Sequence, residues 1–300
     1  MNELFTGTGV ALVTPIKEDL SLDLEALGAL VRHVTEGGVD YLVVLGTTAE
    51  TATLSPEEKD IIRNVVREEN AGRLPLVIGI GGNDTLGVAR QLGSTPLEGY
   101  QAVLSVSPYY NRPTQEGIYR HFSVLASHCP LPILAYNVPA RTGSNMLPET
   151  TLRLARECPG IIGIKEACGE MQQIGRLIDE APEGFLVLSG DDFTAVPTVL
   201  RGGAGVISVL GQGVPGPFSG MMRLAASGAS KDAQAQAGTL TLLMESIFKE
   251  GNPAGIKALL HRLGVCGPYV RLPLVEASEA LALELARNLD ALQATLAAGR

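Results

Sequence analysis

Eight short apolar runs, each of four to six residues, recur along the first two thirds of the chain, at 8–13, 41–45, 76–80, 102–106, 133–136, 161–164, 185–188 and 206–209. Runs this short, rich in Val and Ile and without polar alternation, read as strands covered on both faces. The stretches between them are long enough for the crossover helix that parallel strands require. Several carry start signals. Ser55-Pro56-Glu57-Glu58, for example, supplies an N-cap residue, a proline at the first helical position and acids in the first turn. Strand and helix in alternation predict an α/β fold, and eight strands is the number that closes a TIM (β/α)8 barrel. A doubly wound sheet fits the same alternation, but no G-x-G-x-x-G follows the first run.

After the eighth run the pattern changes. Residues 214–300 are rich in Ala and Leu, and apolar residues at spacings of three and four predict helices over 239–249, 253–262 and 276–298. No Gly/Ser linker precedes them, so the reading is a barrel core over 1–213 with a helical region, 214–300, packed on it. One interruption stands out earlier. Gly93-Ser94-Thr95-Pro96 falls where the helix after the third strand is due, and proline removes a donor and clashes inside a helix, so that helix is expected to be short or broken.

Composition narrows the function classes. Hydrophobic residues make up 45% and charged residues 18% of 300, the balance of a globular enzyme. A formal charge of -9 with no basic stripe argues against a nucleic-acid partner. Cys129, Cys158, Cys168 and Cys266 form no C-x-x-C pair and suggest neither a zinc site nor a disulfide framework. The first residues lack the features of a signal peptide and no apolar run approaches a membrane span, so a cytoplasmic protein without membrane or nucleic-acid partners is expected.

The chemistry is sought at the C-terminal ends of the strands, where barrel enzymes carry it. Lys165 ends the sixth run, Ile161-Ile162-Gly163-Ile164, in a place where an ammonium is costly. A lysine there either snorkels to solvent or serves as a desolvated amine that attacks a ketone and forms a Schiff base. Gly46-Thr47-Thr48-Ala49-Glu50 follows the second run with two hydroxyls and small residues, either a helix cap or a carboxylate cradle. Ser107-Pro108-Tyr109-Tyr110-Asn111-Arg112-Pro113 follows the fourth, and the fifth ends in Tyr136-Asn137-Val138-Pro139-Ala140-Arg141-Thr142-Gly143. Phenols and a guanidinium on separate strand ends supply proton transfer and an anion clamp, although each tyrosine alone is more often a packing aromatic.

Taken in order, GTTAE at Gly46, SPYYNRP at Ser107, YNVPARTG at Tyr136, GIKEA at Gly163, LSGDD at Leu188, GVISV at Gly205 and EGNP at Glu250, with TPI at Thr14 and RLPL at Arg271, span nearly the whole chain. This set resembles the dihydrodipicolinate synthases (4-hydroxy-tetrahydrodipicolinate synthases) within the pyruvate-dependent class I lyase and aldolase family. The resemblance implies a homotetramer, a dimer of dimers, that condenses pyruvate with L-aspartate 4-semialdehyde in the diaminopimelate route to lysine, with no metal or organic cofactor. It assigns the Schiff base to Lys165 and general acid/base work to Tyr136. Thr47 and Tyr110 complete a proton relay, the tyrosine reaching in from a neighbouring subunit. Thr48 and Ile207 are implied as pyruvate contacts, Gly190 as a further substrate-binding position, and Arg141 as the partner of the semialdehyde's carboxylate.

The sequence departs from the family pattern at Ala49, where glycine is usual and freer in φ, at Leu210-Gly211-Gln212-Gly213, and at Gly255. Lys59 and Gly87 stand where lysine-inhibited members carry a histidine and a glutamate, while Asn83 and Tyr109 match and Thr51 nearly does; weak or absent inhibition by lysine is expected. Two other functions fit less well. A sister N-acetylneuraminate lyase or 2-keto-3-deoxy sugar acid aldolase would need hydroxyl partners where Arg141 stands. A catalytically silent binding barrel would have no use for the lysine and phenols.

Overall fold

Chain order and spatial order coincide in the sheet of the computed structural model, which describes residues 2–298. The strands β1 (Gly7–Ala11), β2 (Tyr41–Val44), β3 (Leu76–Gly79), β4 (Ala102–Val106), β5 (Ile133–Asn137), β6 (Ile161–Glu166), β7 (Leu186–Ser189) and β8 (Gly205–Ser208) follow one another around a closed barrel. The ladders from β3 to β8 are parallel. Helices α1 (Leu24–Glu36), α2 (Pro56–Asn70), α3 (Thr85–Ser94), α4 (Gln115–His128), α5 (Pro139–Thr142), α6 (Pro148–Glu157), α7 (Met171–Glu180) and α8 (Ala195–Leu200) occupy the crossovers. Beyond β8 come α9 (Pro215–Ala226), α10 (Ser230–Ser246), α11 (Ala254–Arg262) and α12 (Glu279–Ala298). The TIM barrel with C-terminal helices expected from the periodicity is therefore the fold. Among the described residues no helix is long and apolar enough to cross a membrane.

Local chemistry sets the element ends. At α2, Ser55 accepts from the Glu58 backbone N–H while the Glu58 carboxylate accepts from the Ser55 N–H, a reciprocal capping box that follows from the S-P-E-E sequence. Helix α3 is short, as Pro96 dictates: its last backbone bond runs from Thr95 N–H to the Gln91 carbonyl. The C-terminal helices depart from the expected bounds, α12 starting at Glu279 rather than 276 and α10 ending at Ser246 rather than 249. The apolar spacing placed the start of α10 at residue 239, but it begins at Ser230, because Ala and Gln are good helix formers even where no apolar stripe marks them. Helix α9 starts on Pro215, whose missing N–H is harmless at the first helical position.

The chain divides into two compact units. One comprises Asp40–Val43 and Pro75–Ile207 with the N-terminal residues up to Gly9. Its core includes Tyr41, fully buried, whose hydroxyl donates to the Val206 carbonyl at 3.3 Å. A Cβ on Gly9 would lie 2.2 Å from that ring, so the small residue in β1 makes room for the large one in β2. The other unit comprises Val10–Val39, Val44–Leu74 and the chain from Ser208. In it the unusual residues after β8 have clear work: the buried Gln212 side chain accepts from Val13 N–H and donates to the Ala11 carbonyl, both at 2.9 Å, so it satisfies the backbone where β1 ends. Gly255 is equally constrained, since a Cβ there would sit 2.2 Å from the Ile247 carbonyl oxygen.

Candidate active site

Strand β6 runs two residues further than its apolar run, so Lys165 lies within the ladder rather than beyond it. In register it pairs with Tyr136 on β5 and Leu188 on β7. Paired residues of neighbouring strands project from the same face of a sheet, which sets the amine and the phenol side by side. Lys165 Nζ is 4.5 Å from the centroid of the Tyr136 ring. Both residues are buried, at 5% and 6% exposure, which rules out the snorkelling alternative. Burial lowers the Lys165 pKa from 10.5 to about 8; the charges of Asp192 and Asp191 oppose the shift and that of Arg141 assists it.

Gly190, just past β7, fits against this lysine. Its N–H donates to the Glu166 carbonyl at 2.7 Å. A Cβ would approach Lys165 Cε to 3.0 Å, Lys165 Cγ to 3.1 Å and the Ala167 Cβ to 2.7 Å, so only glycine lets the lysine stem pass. The following residues are held locally: Ser189 Oγ donates to the Asp191 carbonyl at 2.6 Å, and Phe193 N–H donates to Asp191 Oδ1 at 2.8 Å. Ile207 lies on β8, fully buried.

Alternation sends the next residue, Glu166, to the opposite face, and here the sequence reading missed a cluster. The Glu166 carboxylate is fully buried and accepts from Asn137 Nδ2 at 2.8 and 3.0 Å, from Gln173 Nε2 at 2.9 Å and from Cys168 N–H at 2.9 Å. Asn145 closes the network, donating to Gln173 Oε1 and accepting from Asn137 Nδ2. Burial pushes the Glu166 pKa up, and the hydrogen bonds from Asn137, Gln173 and Cys168 oppose it. Every partner is a donor, which suits an ionised carboxylate. The cluster joins the ends of β5 and β6 on the face behind Tyr136 and Lys165.

Arg141 projects from α5, a single turn directly after β5, and is exposed. Tyr110 stands apart from the buried pair. It lies in the loop between β4 and α4 in the left-handed region, φ 71°, with its side chain 88% exposed and its N–H donating to the Thr142 carbonyl at 3.4 Å. Asn83 Nδ2 donates to the Tyr109 carbonyl and Asn111 Nδ2 to the Asn83 carbonyl, each at 3.0 Å, which ties this loop to the end of β3.

In the second unit, Thr47–Ala49 form one 3-10 turn directly after β2. Thr47 is exposed; Thr48 is buried, and its hydroxyl accepts from Asn252 Nδ2 at 2.9 Å. Ala49 needs no glycine here: the left-handed positions around the turn are Leu45 and Glu50, and Ala49 itself sits in the 3-10 turn. Among the described residues no group of three or more His, Cys, Asp or Glu is arranged to hold a metal ion.

Residues 4–292 match the dihydrodipicolinate synthetase family. The chain is 52% identical over 283 residues to the 4-hydroxy-tetrahydrodipicolinate synthase of Flavobacterium psychrophilum, covering 94% of this chain and 97% of that one. It is 50% identical over 269 residues to the enzyme of the same name from Parabacteroides distasonis, covering 90% and 91%. Among solved structures, dihydrodipicolinate synthase from Thermotoga maritima superposes with a TM-score of 0.94 at 38% identity, covering 97% of this chain and 99% of the other.

Proposed function

This chain belongs to the dihydrodipicolinate synthetase family, and from that membership we infer that it is a 4-hydroxy-tetrahydrodipicolinate synthase, a lyase that condenses pyruvate with L-aspartate 4-semialdehyde in the diaminopimelate route to lysine. The observation that carries the mechanism is the buried amine of Lys165 against the Tyr136 ring, with its pKa brought down to about 8. At pH 7 an ordinary lysine is unprotonated in about one molecule in three thousand, whereas a pKa near 8 raises that to about one in ten.

In this reading the Lys165 amine attacks the ketone carbon of pyruvate, and Tyr136 carries the protons that let the carbinolamine lose water to an iminium. The iminium draws electron density from the methyl group, which loses a proton to give an enamine. The enamine carbon adds to the aldehyde of the second substrate and forms the new C–C bond. The semialdehyde's own amine then displaces Lys165 by transimination, closing the ring and freeing the enzyme. We assign Thr48 and Ile207 to pyruvate, with Gly190 leaving room beside the lysine, and Arg141 to the carboxylate of the semialdehyde, which an exposed guanidinium suits.

Thr47 and Tyr110 are assigned to the proton relay. The exposure of Tyr110, 88%, and its positive φ support the reading that it serves a neighbouring subunit of a homotetramer, and kinship with biosynthetic enzymes supports the cytoplasm as the compartment. The test is a choice of aldehydes. Purified protein with saturating pyruvate should consume L-aspartate 4-semialdehyde and leave N-acetylmannosamine untouched; the reverse preference would make it a sugar-acid lyase. Arg141 is the feature that favours the first outcome, because a sugar offers hydroxyls and no second carboxylate.

A further inference from the structure

Directly after the two threonines lies a buried ion pair that no step above uses. Lys257 on α11 is fully buried, and its Nζ donates to Glu50 Oε1 at 2.5 Å and to the Tyr269 carbonyl at 2.7 Å. The other oxygen, Glu50 Oε2, accepts from Arg271 N–H at 2.9 Å. Glu50 itself has φ 57° and ψ 34°, a left-handed conformation that side chains with a Cβ rarely adopt and that persists only where surrounding contacts enforce it. The same C-terminal stretch grips the chain at further points. Asn252 donates to the Thr48 hydroxyl, the Arg271 guanidinium donates to the Thr53 carbonyl at 3.0 Å, and it binds both Glu58 oxygens, at 2.8 and 2.5 Å.

Stability alone is a poor reason for this cluster, since two buried charges lose hydration and a well-packed apolar pair of the same volume does as well or better. What the ion pair adds over an apolar pair is fixed geometry. It also neutralises a carboxylate that would otherwise repel an anion bound at the neighbouring turn. We propose that Glu50, clamped by Lys257 and the Arg271 backbone, is the positioning residue that holds the Thr47-Thr48 turn in the pose that receives the pyruvate carboxylate. The proposal rests on the assignment of Thr48 to pyruvate in the preceding section.

Glu50→Gln in the full-length enzyme tests it. The KM for pyruvate should rise about tenfold, and the pyruvate concentration that half-saturates borohydride trapping at Lys165 should rise by the same factor. The KM for the semialdehyde should stay within about twofold, and trapping at saturating pyruvate should remain complete. An unchanged pyruvate KM, or a loss of trapping capacity in proportion to folded protein with both KM values unmoved, would overturn the proposal. Failure of the underlying reading looks different: wild-type protein would then not be trapped by pyruvate at all. If Glu50→Gln does not fold, Lys257→Gln decides, because it keeps the Glu50 carboxylate and its bond from the Arg271 N–H and removes only the ammonium that clamps Oε1. A pyruvate KM raised about threefold or more, with the semialdehyde KM unmoved, supports the clamp. An unmoved pyruvate KM, or a second unfolded variant, would assign these residues to the scaffold alone and sink it.

Discussion

At the scale of single residues, the reactivity proposed for Lys165 comes from its surroundings rather than from its identity. Burial favours the neutral amine and lowers its pKa to about 8, so the fraction able to attack grows as pH rises through that value. The rate of pyruvate trapping at subsaturating pyruvate should therefore climb with pH and level off above about 8; a profile still climbing tenfold per unit at pH 9.5 would show an ordinary lysine. Gly190 sets the other condition. A methyl group there meets the lysine stem at 3.0 Å and Ala167 at 2.7 Å, so Gly190→Ala must displace one or the other. We expect that variant to stay folded and to lose about tenfold or more in trapping rate, as judged by mass spectrometry of reduced samples, because an ångström of misplacement costs that much at a reacting centre.

At the scale of elements, the strands carry the site and their partners secure the ends. The Arg271 guanidinium pulls the Glu58 carboxyl from 4.5 down to about 2. A carboxyl whose folded-state pKa is depressed contributes stability that is complete above its unfolded value and is lost as pH falls through the folded one. Glu58→Gln should accordingly flatten the fall in denaturant midpoint between about pH 5 and 2, while the parent loses stability steeply there. An unchanged acid limb would mean that the pair does not survive in solution. Much at this scale was legible in the sequence, because strands covered on both faces appear as uninterrupted apolar runs and the candidate side chains stand at or just past their ends. Lys165, Tyr136 and the Thr47-Thr48 turn were picked out as candidates that way, and Lys165 and Tyr136 do lie side by side. The Glu166 cluster was not, because its amides come from β5, the loop before α6, and α7, and nothing in a linear pattern pairs them. Lys257 was hidden for the same reason, 207 residues from Glu50. The early start of α10 escaped because propensity, not periodicity, marks it.

At the scale of the whole molecule, regulation and the reaction itself are what remain to be measured. By the family resemblance drawn above, Gly87 and Lys59 stand where lysine-inhibited members carry a glutamate and a histidine, which would leave this site without that carboxylate and with a like charge. Losing one charged hydrogen bond weakens binding by roughly ten- to a hundredfold, so half-inhibition by L-lysine should lie above about 1 mM at saturating substrates. Inhibition in the micromolar range would show that other residues rebuild the site. The central claim is that Lys165 forms a Schiff base with pyruvate that the semialdehyde then discharges. The most direct test is borohydride reduction in the presence of pyruvate, followed by peptide mass spectrometry, with and without prior addition of L-aspartate 4-semialdehyde. The account predicts a reduced pyruvate adduct on Lys165, absent in Lys165→Ala and depleted when the semialdehyde is added first. An adduct on another lysine, or one that persists in Lys165→Ala, would contradict it.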